Sequence, residues 1–249
     1  MKFLRALLLV CVLPVTTLAA DVAALLEQAQ AAEARLDSAR ALELFIQADS
    51  AQPDDAFILQ KIAKQYSDLV PDQTTREAKK DYALRALAFA RRSFDLEPTN
   101  AVHALSLTIC HGHIAVVSDA RTKVEMSRLI KEDAERALRL DPNYAWAHHV
   151  LGRWHYEVAG LSGVARFFAR MLYGGLPPAS FDEGIAHLRR ATELDSGELN
   201  HWIDLGFAYQ AAGRMAEART AWDRGLALPA RSKHDPVAKR RVRDVLANL

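Results

Sequence analysis

Nine histidines are the side chains of this 249-residue chain best suited to chemistry near neutral pH. His103, His111 and His113 fall in one stretch, and His148, His149 and His155 in the next. A zinc centre needs three or four such side chains converging, usually with a carboxylate or thiolate. No His-Glu-x-x-His pair occurs, and Cys11 and Cys110 alone cannot build a thiolate site. The serine-nucleophile, phosphate-loop and dinucleotide fingerprints are absent as well. Paired carboxylates such as Asp54-Asp55 and Asp182-Glu183 stand where helices begin, and there they complement the helix dipole. The residues therefore predict no catalytic centre and no cofactor. A metal-dependent enzyme using the two histidine-rich stretches is the alternative.

Half of the residues are apolar and 25% are charged, as in a folded globular protein. Lys and Arg number 32 against 31 Asp and Glu, a balance that excludes a general nucleic-acid binder. Lys2 and Arg5 precede the apolar run 6–15, and Thr16-Thr17-Leu18-Ala19-Ala20 supplies small residues for cleavage. This is the pattern of a secretory signal peptide over 1–20, cut after Ala19 or Ala20. It predicts an exported protein, periplasmic or secreted, whose single domain is 21–249. The run is shorter than the ~20 residues of a membrane span. Cys110, the thiol left after cleavage, is expected to pack as a small buried hydrophobe.

The elements that position these residues follow from an internal repeat. Four segments end alike, at Gln52-Pro53, Glu97-Pro98, Asp141-Pro142 and Asp195-Ser196. Nine residues after each stop stand Ile62, Leu107, Leu151 and Leu205; ten after stand Ala63, Thr108, Gly152 and Gly206. Thirteen after stand Tyr66, His111, His155 and Tyr209, and five before stand Ala48, Ser93, Ala137 and Ala191. An apolar residue, a small residue and a ring at fixed offsets form the tetratricopeptide pattern, in which two antiparallel helices cross closely. His111 and His155 occupy its ring position and are read as packing groups. The predicted fold is all-α: a right-handed tetratricopeptide-like solenoid of about five helical hairpins, over 21–50, 54–97, 99–141, 143–195 and 198–230. A capping helix follows over 235–248. The basic residues around it, from Arg231 to Arg243, are read as its solvated face.

The run 160–180 is an insertion. Phe167, Phe168, Met171 and Leu172 gather on one side of a short helix, Gly174-Gly175 stops it, and Ser180 with Glu183 caps the next helix. The favoured expectation is a helix folded back with its aromatics buried. Membrane contact through 164–173 is the less favoured reading.

Two stretches resemble the regulator of microtubule dynamics family. One is Ile130-Lys131-Glu132 with Leu140-Asp141-Pro142 and His149…Leu151-Gly152-Arg153-Trp154-His155-Tyr156; the other is the insertion from Arg166 to Phe181. Pro229-Ala230…Asp235 continues the likeness, which spans roughly 75–236. The resemblance implies a tetratricopeptide-like helical binding module and no enzyme activity, and together with the leader it reads as an exported, bacterial-type homologue. Family members are associated with microtubules and, in some animal forms, with membrane contacts and lipids. The near-neutral charge here does not suit an acidic tubulin surface.

The first helix of each unit lines the concave face of such a solenoid. Its groove-facing positions are Phe57, Gln60 and Lys64; Ile109 and His113; Trp146, His149, Arg153 and Tyr156; and Ile203, Phe207 and Gln210. This set predicts an apolar, aromatic groove with isolated cations, suited to a protein or peptide partner, or to a lipid or other apolar ligand. If anything fills the groove, the insertion or the first hairpin is the expected occupant.

Overall fold

A computed structural model describes the backbone of residues 15–248 and the side chains of 21–248. Most of the leader over 1–20 therefore lies outside the described residues. Twelve helices and no strands are present among the described residues. They are α1 (Val15–Ala34), α2 (Ser38–Ala51), α3 (Ala56–Leu69), α4 (Arg76–Leu96), α5 (Ala101–Val117), α6 (Ala120–Leu140), α7 (Ala145–Ala159), α8 (Gly163–Tyr173), α9 (Phe181–Leu194), α10 (Leu199–Ala211), α11 (Met215–Ala227) and α12 (Asp235–Ala247).

The pairs α1/α2, α3/α4, α5/α6, α7/α9 and α10/α11 are the hairpins, and each packs on the next. The expected solenoid and its end helix are both present. Helix starts are set by short polar side chains that accept backbone N–H groups: Asp37, Asp55, Thr75, Asn100, Asp119, Ser162 and Ser180.

The repeat positions behave as their chemistry requires. Ala48, Ser93, Ala137 and Ala191 are wholly buried at the helix crossings. Ser93 keeps its hydroxyl satisfied by donating to the Ala56 carbonyl at 2.8 Å. Tyr66, His111, His155 and Tyr209 are buried in the inter-helix spaces. Gly206 lets the indole of Trp222 reach the α10 backbone, where Nε1 donates to the Ile203 carbonyl at 3.2 Å. Cys110 is buried beside the Ser67 hydroxyl, and burial pushes its thiol up to about 12.

The first helices of neighbouring units touch at α3/α5 and α7/α10, and α12 takes the next such place beside α10. α5 and α7 instead meet little beyond the small cluster of Ala104, Leu105 and Ala147, with α6 packed against both. This gap is what opens the concave face.

The insertion departs from its expected burial. No side chain of α8 is buried, and Val164, Phe167, Phe168, Met171 and Leu172 are each more than half exposed. The physical reason is its attachment. The return 174–179 runs beneath the helix, and Arg128 of α6 holds that return by donating to the carbonyls of Tyr173 and Gly175. The helix is thereby fixed through its polar side and its ends, leaving the apolar side outward.

Candidate functional site

Two cavities share one wall on the concave face. The first, about 490 Å³, fills the gap between α5 and α7. Ile109, Val116, Ile130, Val150 and Trp154 make it largely apolar, and His113, Arg153 and Glu157 stand among them. The second, about 510 Å³, is the central lumen of the curved solenoid. Trp146, His149 and Arg153 of α7 line both. Helical spacing produces this, since residues three and four apart share a face.

The lumen carries charges of both signs, where an apolar, aromatic groove with isolated cations was expected. Lys64, Arg153, Arg231, Lys233 and Arg241 face Glu33, Asp68 and Asp204 across it. Lys64 lies 3.0 Å from Glu33 and 2.8 Å from Asp68, which hold its ammonium charged against the cost of burial. At the floor, Asp204 is buried on α10 and accepts from His149 Nε2 at 3.3 Å. Burial alone would raise its pKa. The hydrogen bond from His149 and the charges of Arg153 and Arg241 outweigh that and bring it down to about 2.

The histidines pair rather than cluster. His149 Nδ1 meets His201 Nδ1 at 3.1 Å, while its Nε2 faces Asp204. With each ring nitrogen turned to a different neighbour, His149 cannot direct both groups to one ion. His148 and His187 form a second pair, at 2.9 Å. Burial, and then the charge of His149, push His201 down to about 3, so it is neutral. Among the described residues no group of three or more His, Cys, Asp or Glu side chains is placed to hold a metal. His111 and His155 lie within ion-pair distance of Asp133 and Glu183, at 3.1 Å and 3.2 Å.

The sequence-predicted residues divide into three groups. Lys64, Ile109, His113, Trp146, His149, Arg153 and Ile203 line the cavities. Phe57 is exposed away from them, and Gln60 donates to the Ser106 hydroxyl at 3.2 Å between α3 and α5. Tyr156 and Phe207 are buried in the hydrophobic core of the last hairpins, with Ile203 and Trp222. Arg241 of α12 lies 3.7 Å over the Phe207 ring, and Gln210 faces the same helix.

The C-terminal segment joins the first hairpin, whose Glu33, Leu36 and Ser38 also line the lumen, in covering this face, and the insertion does not. Lys233 reaches Asp72 at 2.5 Å, and His234 Nε2 lies 3.2 Å from the Asp68 carbonyl, closing the lumen against α3. Asp235 holds this segment by accepting from Arg231 N and Ser232 N at 2.6 Å and 2.8 Å. Nor is the basic end wholly solvated: Lys239 Nζ donates to the Leu226 carbonyl at 3.0 Å. A single charge inside an apolar helix, Asp204 within Trp202-Ile203-Asp204-Leu205, was the sequence signal for the lumen floor.

A solenoid of paired helices with close small-residue crossings and a cavity-bearing concave face belongs to the tetratricopeptide-type helical repeats. A thermophilic TPR protein of Thermus thermophilus shares this fold, with a TM-score of 0.67 over 91% of this chain and 99% of that one, at 18% identity. The family described as Regulator of microtubule dynamics protein 1-3 matches residues 25–249, and the chain belongs to it. Regulator of microtubule dynamics protein 2 of Homo sapiens is 24% identical over 197 residues, covering 79% of this chain and 48% of that protein. Regulator of microtubule dynamics protein 1 of Bos taurus is 27% identical over 145 residues, covering 58% and 46%. The chain thus spans about half the length of the curated relatives it matches.

Proposed function

We propose that the protein is a non-enzymatic binding module whose concave face takes a segment of a partner protein. A bulky apolar side chain lodges beside Trp146, and a carboxylate lies beside Arg153. The observation that carries this reading is the shared wall. Trp146, His149 and Arg153 border an apolar cavity on one side and a charged lumen on the other. A ligand with both characters satisfies both. Lys64, Arg153 and Lys233 have carboxylate partners, and Arg231 and Arg241, which have no ion pair among the described residues, favour a negative group. The repeat fold supports a protein partner, and none of the three proteins compared above is named as an enzyme. The apolar lining from Ile109 to Ile130 supports a second reading, a hydrophobic ligand such as a lipid chain.

Export belongs to the same proposal. Residues 1–20 form the leader, and the mature chain starts at Ala20 or Asp21. Intact mass of protein recovered outside the cytoplasm tests this, and an uncut chain contradicts it.

For the binding site, the probe is a library of peptides combining aromatic residues with a free carboxylate. Trp146→Ala is expected to weaken the selected peptides by about thirtyfold, as loss of a central aromatic anchor does. Arg153→Gln weakens carboxylate peptides and spares their amides. Equal affinity of both variants and the parent protein would remove the concave face as the site.

A further inference from the structure

The insertion carries a second surface, independent of the concave face. Val164, Phe167, Phe168, Met171 and Leu172 cover one side of α8 and are exposed. The other side holds Arg166, Ala169 and Arg170. These residues line a cavity of about 380 Å³ with Val158 and the return 174–179. The helix is well bounded: Ser162 Oγ accepts from Ala165 N at 3.2 Å, and Gly174 ends it at φ 76°. Arg128 Nε donates to the Gly175 carbonyl at 3.0 Å and fixes which side looks out. No side chain of this eleven-residue helix is buried. Helices of that length are marginal in water without a covered face. The structure thus holds an apolar strip in place without covering it.

We propose that α8 is an interfacial helix that docks the protein onto an anionic lipid bilayer. Its apolar side enters the acyl boundary, while Arg166 and Arg170 sit at the headgroup phosphates. Charge selects the bilayer over a second copy of the chain. From Val158 to Phe181 there is no Asp or Glu, and Arg166 and Arg170 are the charged residues. The nearest carboxylates in sequence lie outside the insertion: Glu157, 2.8 Å from Arg153, and the exposed Asp182 and Glu183 in the first turn of α9. Two copies face to face would gather four arginines, with no carboxylate from α8 or its return among them. Anionic headgroups supply the opposite charge and attract basic residues near the surface. Tyr173, at the end of the helix and half-buried, is the kind of ring that settles at such an interface. Helix length does not decide against the assignment, because moment and charge govern interfacial binding.

The test uses the full chain with Cys11→Ala and Leu172→Cys, carrying an environment-sensitive fluorophore at 172. The vesicles contain phosphatidylglycerol in phosphatidylcholine, or phosphatidylcholine alone. The expected result is a blue shift and quenching by spin-labelled acyl chains on the anionic vesicles. Apparent affinity falls about thirtyfold on neutral vesicles or with Arg166→Gln and Arg170→Gln together, the factor for two arginines at a charged surface. Phe168→Ser abolishes the response at 172. A label at Ala186→Cys on α9 stays unshifted, which separates α8 insertion from attachment through residues 1–20. The proposal is overturned if label 172 ignores both vesicles, or responds equally to neutral ones. A shift at 172 that tracks protein concentration without vesicles overturns it in favour of self-association.

Discussion

Alanine at Gly206 would ask the last hairpin for space it does not have. A Cβ there would stand 2.3 Å from both Cδ1 and Nε1 of Trp222, and 2.9 Å from its Cε2. Trp222 has no room to swing. It is wholly buried, its N–H is bonded to the Ile203 carbonyl, and the Phe207 ring packs edge-on with centroids 5.3 Å apart. Either α10 and α11 separate or the indole leaves its rotamer. Overpacking of this kind costs about 1–3 kcal/mol. Losing the indole hydrogen bond adds about 1 kcal/mol, and the better helix propensity of alanine returns up to about 1 kcal/mol. The net expectation is a loss of about 1–3 kcal/mol, or roughly 2–12 °C in Tm for a chain of this size. Thermal and urea unfolding followed by far-UV circular dichroism measures it. Gly112→Ala is the companion variant: its Cβ meets nothing within 4 Å, so only the propensity gain remains. If Gly206→Ala proves as stable as the parent protein, the close-crossing account of the repeat is wrong.

Phe168→Asp should cost at most about 1 kcal/mol, because the ring is half exposed and packs chiefly on Phe167 of its own helix; a loss of several kcal/mol in urea unfolding would show that α8 packs on the body after all. Acid should destabilise the fold. Burial holds His113 and His187 down at about 4 and His201 at about 3, while unfolded histidines titrate near 6.5. Unfolding therefore takes up protons below about pH 6.5. Wholly buried His201 alone contributes a fall of up to about 1.4 kcal/mol per pH unit, until its folded pKa is reached. Asp204, at about 2 against its ordinary 3.8, adds stability that is present above pH 3.8 and disappears as pH falls toward 2. Stability that is flat from pH 7 to 4 in urea unfolding would contradict the burial of these rings.

The parts of the fold legible in the sequence are those written in local chemistry. Pro53, Pro98 and Pro142 mark helix ends because proline cannot continue a helix, and Ala48, Ala137 and Gly206 mark crossings because larger groups do not fit. The α8 helix was equally plain, with Ser162 before it and Gly174 after. Its exposure was not, because an amphipathic pattern says that a face wants cover without saying what covers it. The concave residues on α7 came through for the same reason as the crossings, since Trp146, His149 and Arg153 follow one helical phase. Tyr156 and Phe207 share that phase but are buried, and only the placement of α12 and Asp204 determines this. The lumen's other wall depends on a contact between Lys233 and Asp72, 161 residues apart, which no periodicity encodes.

The central claim is that the wall shared by the two cavities is where a partner binds. The most direct measurement is nuclear magnetic resonance of the indole N–H of Trp146 during titration with a carboxylate-bearing aromatic peptide, using Trp202 and Trp222 as internal references. Trp146 is half-buried between both cavities, Trp202 donates to the Ser196 carbonyl outside them, and Trp222 is sealed in the core. The account predicts that the Trp146 signal moves saturably while the other two stay in place, and that the shift is lost for carboxylate peptides when Arg153 is replaced by glutamine. A bound peptide that leaves Trp146 unmoved would contradict it.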